Sequence, residues 1–392
     1  MIQQRLRQLR LARGMTLDDL AQATGRIVTR QAISKYEHGQ AQPSPTVLHH
    51  LAMALGVRTT DLLNSHEAQI ELIAHRKRAS LGKRQHEQME ALAQEALRDR
   101  LYLQELIGEP AQLALPLFEY PVTSLDDAET AATDLRARWG LGSAPIADLT
   151  DTLEEHGLHV IALDAIDGFD GVAAIARDEH GAALAAAVIG RRSLDGARWR
   201  MNLAHELAHL VLQPHDGLDE EKVAFRFAAA LLAPANALRS HIGEHRTHLY
   251  LEELLLLKRH FGMSIQALLY HMQTLGIINQ RLYRSWMIKL SERGWRTAEP
   301  EPLPPEEPLW LRRATLRALA EELIDPAEAR RLLGEEVPVQ DIPERSEGRC
   351  QRLLRQPLAV RHAVLAEQVA AAADLYPFPA TEANEVATRE HA

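Results

Sequence analysis

The stretch RWRMNLAHELAHLVL, residues 198–212, holds His205, Glu206 and His209 in the order H-E-x-x-H. On a helix, residues four apart share a face, with Cβ atoms about 5–6 Å apart. Two imidazoles so placed can grip one zinc ion. The glutamate beside the first lies near the metal's open position and can take a proton from water there. Leu203, Leu207, Leu210 and Val211 form an apolar stripe that buries such a helix. Taken alone, the five residues also fit a buried helix with two incidental histidines, so the flanking sequence has to decide.

Downstream, the nearest candidates for a third ligand are His215, Asp216, Asp219, Glu220 and Glu221. The run EKVAFRFAAALLAP from Glu221 offers small residues for close helix packing, with a glutamate one turn upstream. Upstream, Ser124 caps a helix that Gly140 stops, and Pro145 begins another. Three strand-like runs follow, LHVIALD, FDGVAAIARD and AALAAAVIG, separated by turn residues that predict a small meander. By analogy with zincins generally, the strand near residues 183–189 is expected to hold an extended substrate by edge pairing. Arg198 and Arg200 flank the helix start and read as solvated or salt-bridged.

With these segments in order, residues 124–234 resemble the ImmA/IrrE metallopeptidase family: two helices, a small sheet, NLAHELxHLxL, then E-x-x-A-x-x-F-A-x-x-L-L-x-P. The resemblance implies a zinc cofactor, His205 and His209 as ligands, Glu206 as general base and Glu221 as third ligand. Two features depart from the pattern. Phe225 stands where the family often has Asn or Asp, and the short interval after His209 leaves Glu220 as a rival ligand.

At the other end, residues 1–60 carry eight Lys/Arg against three acids, a basic module on a chain of net charge −10. Gly14, Gly25 and Gly39 punctuate short helices, with Thr16 and Thr29 as N-caps, and Pro43 and Pro45 lead into a fourth. Two short helices joined by a tight turn form the helix-turn-helix pattern. The series Leu17, Leu20-Ala21, Gly25, Ile33-Ser34, Tyr36-Glu37, Gly39, Pro43 and Leu51-Ala52-x-x-Leu55-Gly56-Val57 resembles the XRE (lambda-repressor-like) family over residues 4–64. That resemblance implies binding to a double-stranded DNA operator as a homodimer. Arg30, Gln31, Ser34 and Lys35 then face the major groove, where Arg suits guanine and Gln suits adenine.

The chain of 392 residues exceeds one ordinary domain. It has no apolar run of membrane-spanning length, and its basic N-terminus lacks a signal peptide's apolar region. The single cysteine, Cys350, excludes an internal disulfide framework and fits the cytoplasm. The expected fold is mainly α with a small β-sheet. It comprises a five-helix DNA-binding domain (1–64), a helical connector and linker (65–123), an α+β zincin-like domain of gluzincin type (124–240) and its helical extension (241–298). A Pro/Glu linker with a helical pair (299–340) and a partly disordered tail (341–392) complete it. His241, His245 and His248 form a loose cluster read as an exposed helical face. The function expected is a DNA-binding regulator whose zinc peptidase domain cleaves a protein partner or answers a signal. The alternatives are a non-hydrolytic metal-bound sensor and a peptidase whose head recruits substrate.

Overall fold

The computed structural model describes residues 2–63, 68–73, 82–109, 115–164, 169–192 and 195–337. The basic run His75–Arg78, the turn at Asp167-Gly168, Cys350 and the tail lie outside the described residues. Met1–Arg317 form one compact unit and Ala318–Ala392 a second. No helix among the described residues is long and apolar enough to cross a membrane. The fold is mainly helical with a small mixed sheet.

The head is five helices: α1 (Ile2–Ala12), α2 (Leu17–Ala23), α3 (Arg30–Glu37), α4 (Pro45–Leu55) and α5 (Thr59–Leu63). Thr16 caps α2 in a capping box with Asp19, and Thr29 caps α3 through Ala32 N–H. Leu6, Leu9, Leu20, Ile33, Leu51, Leu55 and Leu62 make its core. Arg10 and Glu37, nearly buried and 2.6 Å apart, tie α1 to α3.

The connector departs from the helical expectation. Residues Gln69–Ile73 form strand β1, and the helix α6 begins only at Lys83 and ends at Leu106. The sequence QIELI alternates polar and apolar, the strand period, and it pairs antiparallel with a strand of the next domain. One face of α6 sends Met89, Ala93 and Leu97 into an apolar cluster against the sheet. Another meets the head: Gln8 donates to Gln94 at 2.8 Å, Arg84 donates to the Gly14 carbonyl at 2.7 Å, and Arg13 pairs with Glu95 at 3.4 Å.

The next domain runs β2 (Tyr120–Val122), α7 (Leu125–Arg138), α8 (Leu149–Glu155), β3 (Leu158–Leu163), β4 (Gly171–Arg177), β5 (Ala183–Arg191), α9 (Gly196–Val211), β6 (Leu212–Pro214) and α10 (Glu220–Leu232). The sheet order is β1-β4-β5-β3, so the expected meander is wrong. β3 crosses over to pair in parallel with β5, and β4 pairs antiparallel with β5 on its other side. From Ala186 onward both edges of β5 are used, which leaves no free edge there for the substrate pairing expected near residues 183–189; among the described residues the edge strands of this sheet are β1 and β3. The near-continuous apolar run of β5 fits a strand buried on both faces, with Val188 in the core shared with α9 and Ile189 in the cluster shared with α6. β2 pairs in parallel with β6, which draws the end of the proline-rich linker into the domain.

Four more helices follow, α11 (Ala235–Ile242), α12 (Leu251–Phe261), α13 (Ile265–Thr274) and α14 (Gln280–Glu292), then α15 (Trp310–Ala320) and α16 (Pro326–Leu333). Asp325 caps α16 and Gly334 closes it in the left-handed conformation.

Between α14 and α15 the Pro/Glu segment is a docked strap, not a free linker. Helix N-termini carry N–H groups with no partner inside the helix, and carboxylates from elsewhere in the chain supply them. Glu299 accepts from Ile265 N–H at 2.8 Å and Gln266 N–H at 3.0 Å, capping α13. Glu306 accepts from Leu149 and Thr150 N–H at 3.0 and 2.9 Å, capping α8. Asp195 and Glu154 hold the strap in return, through Leu303 N–H at 3.0 Å and Trp310 N–H at 2.8 Å.

Glu154 gives this strap a pH dependence. Burial pushes its carboxyl up to about 7, against the pull of Trp310 and Leu309 N–H, Arg313 and Arg100. An acid that holds its proton more tightly when folded stabilises the fold at low pH. That contribution is present below the ordinary value of 4.5 and is lost as pH rises to about 7. Glu154→Gln keeps an acceptor without the charge. Its unfolding free energy is expected to gain on wild type across that window, measured by urea denaturation at several pH values. A constant difference would contradict the assignment.

Candidate metal centre

Helix α9 carries the site, and two glycines seat it. Gly171 and Gly190 face each other across β4 and β5. A Cβ on Gly190 would lie 2.6 Å from the Trp199 ring, and one on Gly171 would lie 3.1 Å from a Glu206 carboxylate oxygen and 3.0 Å from the Ile189 carbonyl. These bare positions let the helix settle onto the sheet with Trp199 buried and Glu206 only 2% exposed. Asp195 caps the helix through Ala197 N–H, and the Trp199 indole donates to Thr150 Oγ1 at 2.9 Å. Neither glycine stood out in the sequence, because each matters only through a neighbour distant along the chain.

One turn apart, His205 and His209 bring their Nε2 atoms to 3.2 Å. Glu221, in the first turn of α10, places one carboxylate oxygen 3.3 Å from His205 Nε2 and the other 3.8 Å from His209 Nε2. Among the described residues this is the one group of three or more His, Cys, Asp or Glu side chains that could hold a metal ion. Tetrahedral zinc bonds of about 2.0–2.1 Å put ligand atoms about 3.3–3.4 Å apart. The observed spacings fit such a centre, and the two-His, one-carboxylate donor set matches a zinc site that keeps an open position. Glu220 is exposed and outside this convergent group.

The surroundings add detail that the motif did not reveal. Phe225, 48% exposed, lays its ring 4.4 Å from that of His205. Nδ1 of His205 is buried and has no hydrogen-bond partner among the described residues. Arg198 pairs with Asp170 at 2.7 Å near the surface. Arg200 is instead buried against Glu306 and donates to the Ile146 carbonyl at 2.8 Å. That hold on Ile146, with Asp148 as cap, starts α8 at Leu149 rather than at Pro145. His241 packs at a tilt against the His260 ring, His245 contacts the Gly276 carbonyl, and His248 contacts Thr247, so these three do not converge.

In the head, Arg30, Gln31 and Lys35 of α3 are exposed and Ser34 is half-buried. Arg30 pairs with Asp18 at 3.3 Å, both side chains largely in solvent. The turn before α3 accommodates Arg26 in the left-handed region at φ 62° and buries Val28.

Comparison with protein families places residues 6–62 in a match to a helix-turn-helix family and residues 154–273 in a match to the IrrE N-terminal-like domain. No curated protein and no solved structure gave a significant match. The two family matches bear out the reading of an XRE-type helix-turn-helix head followed by an ImmA/IrrE-like domain.

Proposed function

We propose that this DNA-binding regulator with a peptidase-like domain is a zinc-dependent endopeptidase that cleaves a protein partner. The observation that carries the proposal is the convergence of His205, His209 and Glu221 beside a buried Glu206. His205 and His209 would hold zinc by Nε2, and Glu221 by its carboxylate. Bound there, zinc supplies Lewis acidity, bringing the pKa of a water towards neutrality and polarising a peptide carbonyl. Glu206 accepts the proton from the attacking water at a carboxylate oxygen and passes it to the leaving nitrogen. Gly171 leaves room for that carboxylate, and the Phe225 ring walls the side of the site next to His205. The head brings the chemistry to an operator, with Arg30, Gln31, Ser34 and Lys35 facing the bases, and a homodimer would match a two-fold site.

Glu221→Ala is expected to lower bound zinc well below one ion per chain, measured by elemental analysis after dialysis. Glu220→Ala is expected to retain it. The reverse pattern would make Glu220 the ligand.

A further inference from the structure

Helix α14 and its following turn carry Arg281, Arg284, Lys289, Arg293 and Arg296, all exposed, against one acid, Glu292. The chain as a whole has 54 acids and 44 Lys/Arg, and its surface arginines elsewhere commonly pair with carboxylates, as Arg138, Arg192, Arg246 and Arg259 do. Among the described residues no ion pair is formed by any of the five cations on this face. Lys289 lies instead 4.7 Å from the centre of the Trp286 ring, and Arg293 at 4.7 Å from that of Trp295. Indole faces hold a cation in place without neutralising it. Arg281, Arg284 and Lys289 share one open face of α14 with Gln280, Ser285 and Ile288.

We propose that this face of α14 is a second nucleic-acid surface, which grips phosphates of the duplex whose bases the head reads. The inference rests on the DNA-binding reading of the head. Exposed cations without carboxylate partners among the described residues suit a phosphate backbone, which carries one charge per about 1.7 Å of duplex. An open face without a deeply buried donor suits a phosphate backbone lying along it better than a small anion, which needs an enclosing pocket. The head also supplies the partner: once α3 engages an operator, flanking phosphates are held at high effective concentration for a basic face of the same chain that reaches them. Such contacts position the duplex and carry no sequence information.

The test uses the full chain and a duplex selected by it from random-sequence DNA, with affinity followed by fluorescence anisotropy over a range of KCl. Replacing Arg281, Arg284 and Lys289 together by Gln is expected to reduce the slope of log affinity against log salt by about 0.9 per lost phosphate contact. The preference for the selected duplex over a scrambled one should stay unchanged. The charge-preserving Arg281→Lys, Arg284→Lys variant should keep the wild-type slope, which separates charge from any effect on folding. The paired Arg30→Ala, Gln31→Ala variant should do the opposite, losing about tenfold or more of the preference. An unchanged slope in the Gln variant overturns the second surface, including the case in which this face serves an acidic protein. An unchanged preference in the α3 variant overturns the recognition-helix reading alone.

Discussion

Replacing Glu206 by Gln is expected to abolish peptide hydrolysis while leaving the metal in place. The substitution keeps the shape of the side chain beside Gly171 but removes the only function it has in the proposed chemistry, proton acceptance from water. Loss of a positioned general base costs about 10²–10⁴-fold in rate. None of the three convergent side chains that could hold the metal is altered, so zinc content should match wild type. The measurement is the appearance of new protein N-termini in a cell extract incubated with each purified protein. Cleavage by the variant at the wild-type rate would remove Glu206 from the mechanism. Transcriptional control that survives the substitution unchanged would favour the metal-bound sensor over the peptidase, because a sensor needs the histidines and not the base.

The largest expected loss of stability comes from the strap. Glu306→Ala leaves the Arg200 guanidinium, whose side chain is 6% exposed, without its carboxylate partner. It also strips Leu149 N–H, Thr150 N–H and the Thr150 hydroxyl of their acceptor. Removing one member of a buried ion pair costs about 3–5 kcal/mol, since the remaining charge stays uncompensated. Urea denaturation followed by the fluorescence of the chain's tryptophans, Trp199 among them, should show the midpoint fall accordingly. Glu306→Gln, which can still accept from the helix N–H groups, should lose less. A midpoint equal to wild type would mean that the strap does not hold the start of α8.

Much of the architecture was legible because it is local. Thr16 and Thr29 announce α2 and α3 as caps, and the H-E-x-x-H spacing puts His205 and His209 on one helical face whatever surrounds them. For a third ligand the resemblance pointed to Glu221 with Glu220 as a rival, since which of the two converges with His205 and His209 depends on how α10 is rotated against α9. What sequence reading missed is set by contacts distant along the chain. The strand at Gln69–Ile73 is defined by its partner β4. β5 was taken for an available edge because its crossover neighbour β3 comes earlier in sequence and gives no sign of where it pairs. The prolines of residues 299–309 read as a spacer, yet Glu299 and Glu306 reach back across more than thirty and more than one hundred and fifty residues to cap α13 and α8. Gly171 and Gly190 carry meaning only once Glu206 and Trp199 are seen above them.

The metal centre is tested most directly by an anomalous-difference map recorded at the zinc absorption edge on crystals of the full chain. The expected result is a single strong peak bonded to Nε2 of His205, Nε2 of His209 and the carboxylate of Glu221, with Glu206 facing its open side. A map without a peak there, or with a peak that excludes Glu221, would contradict the assignment of the centre.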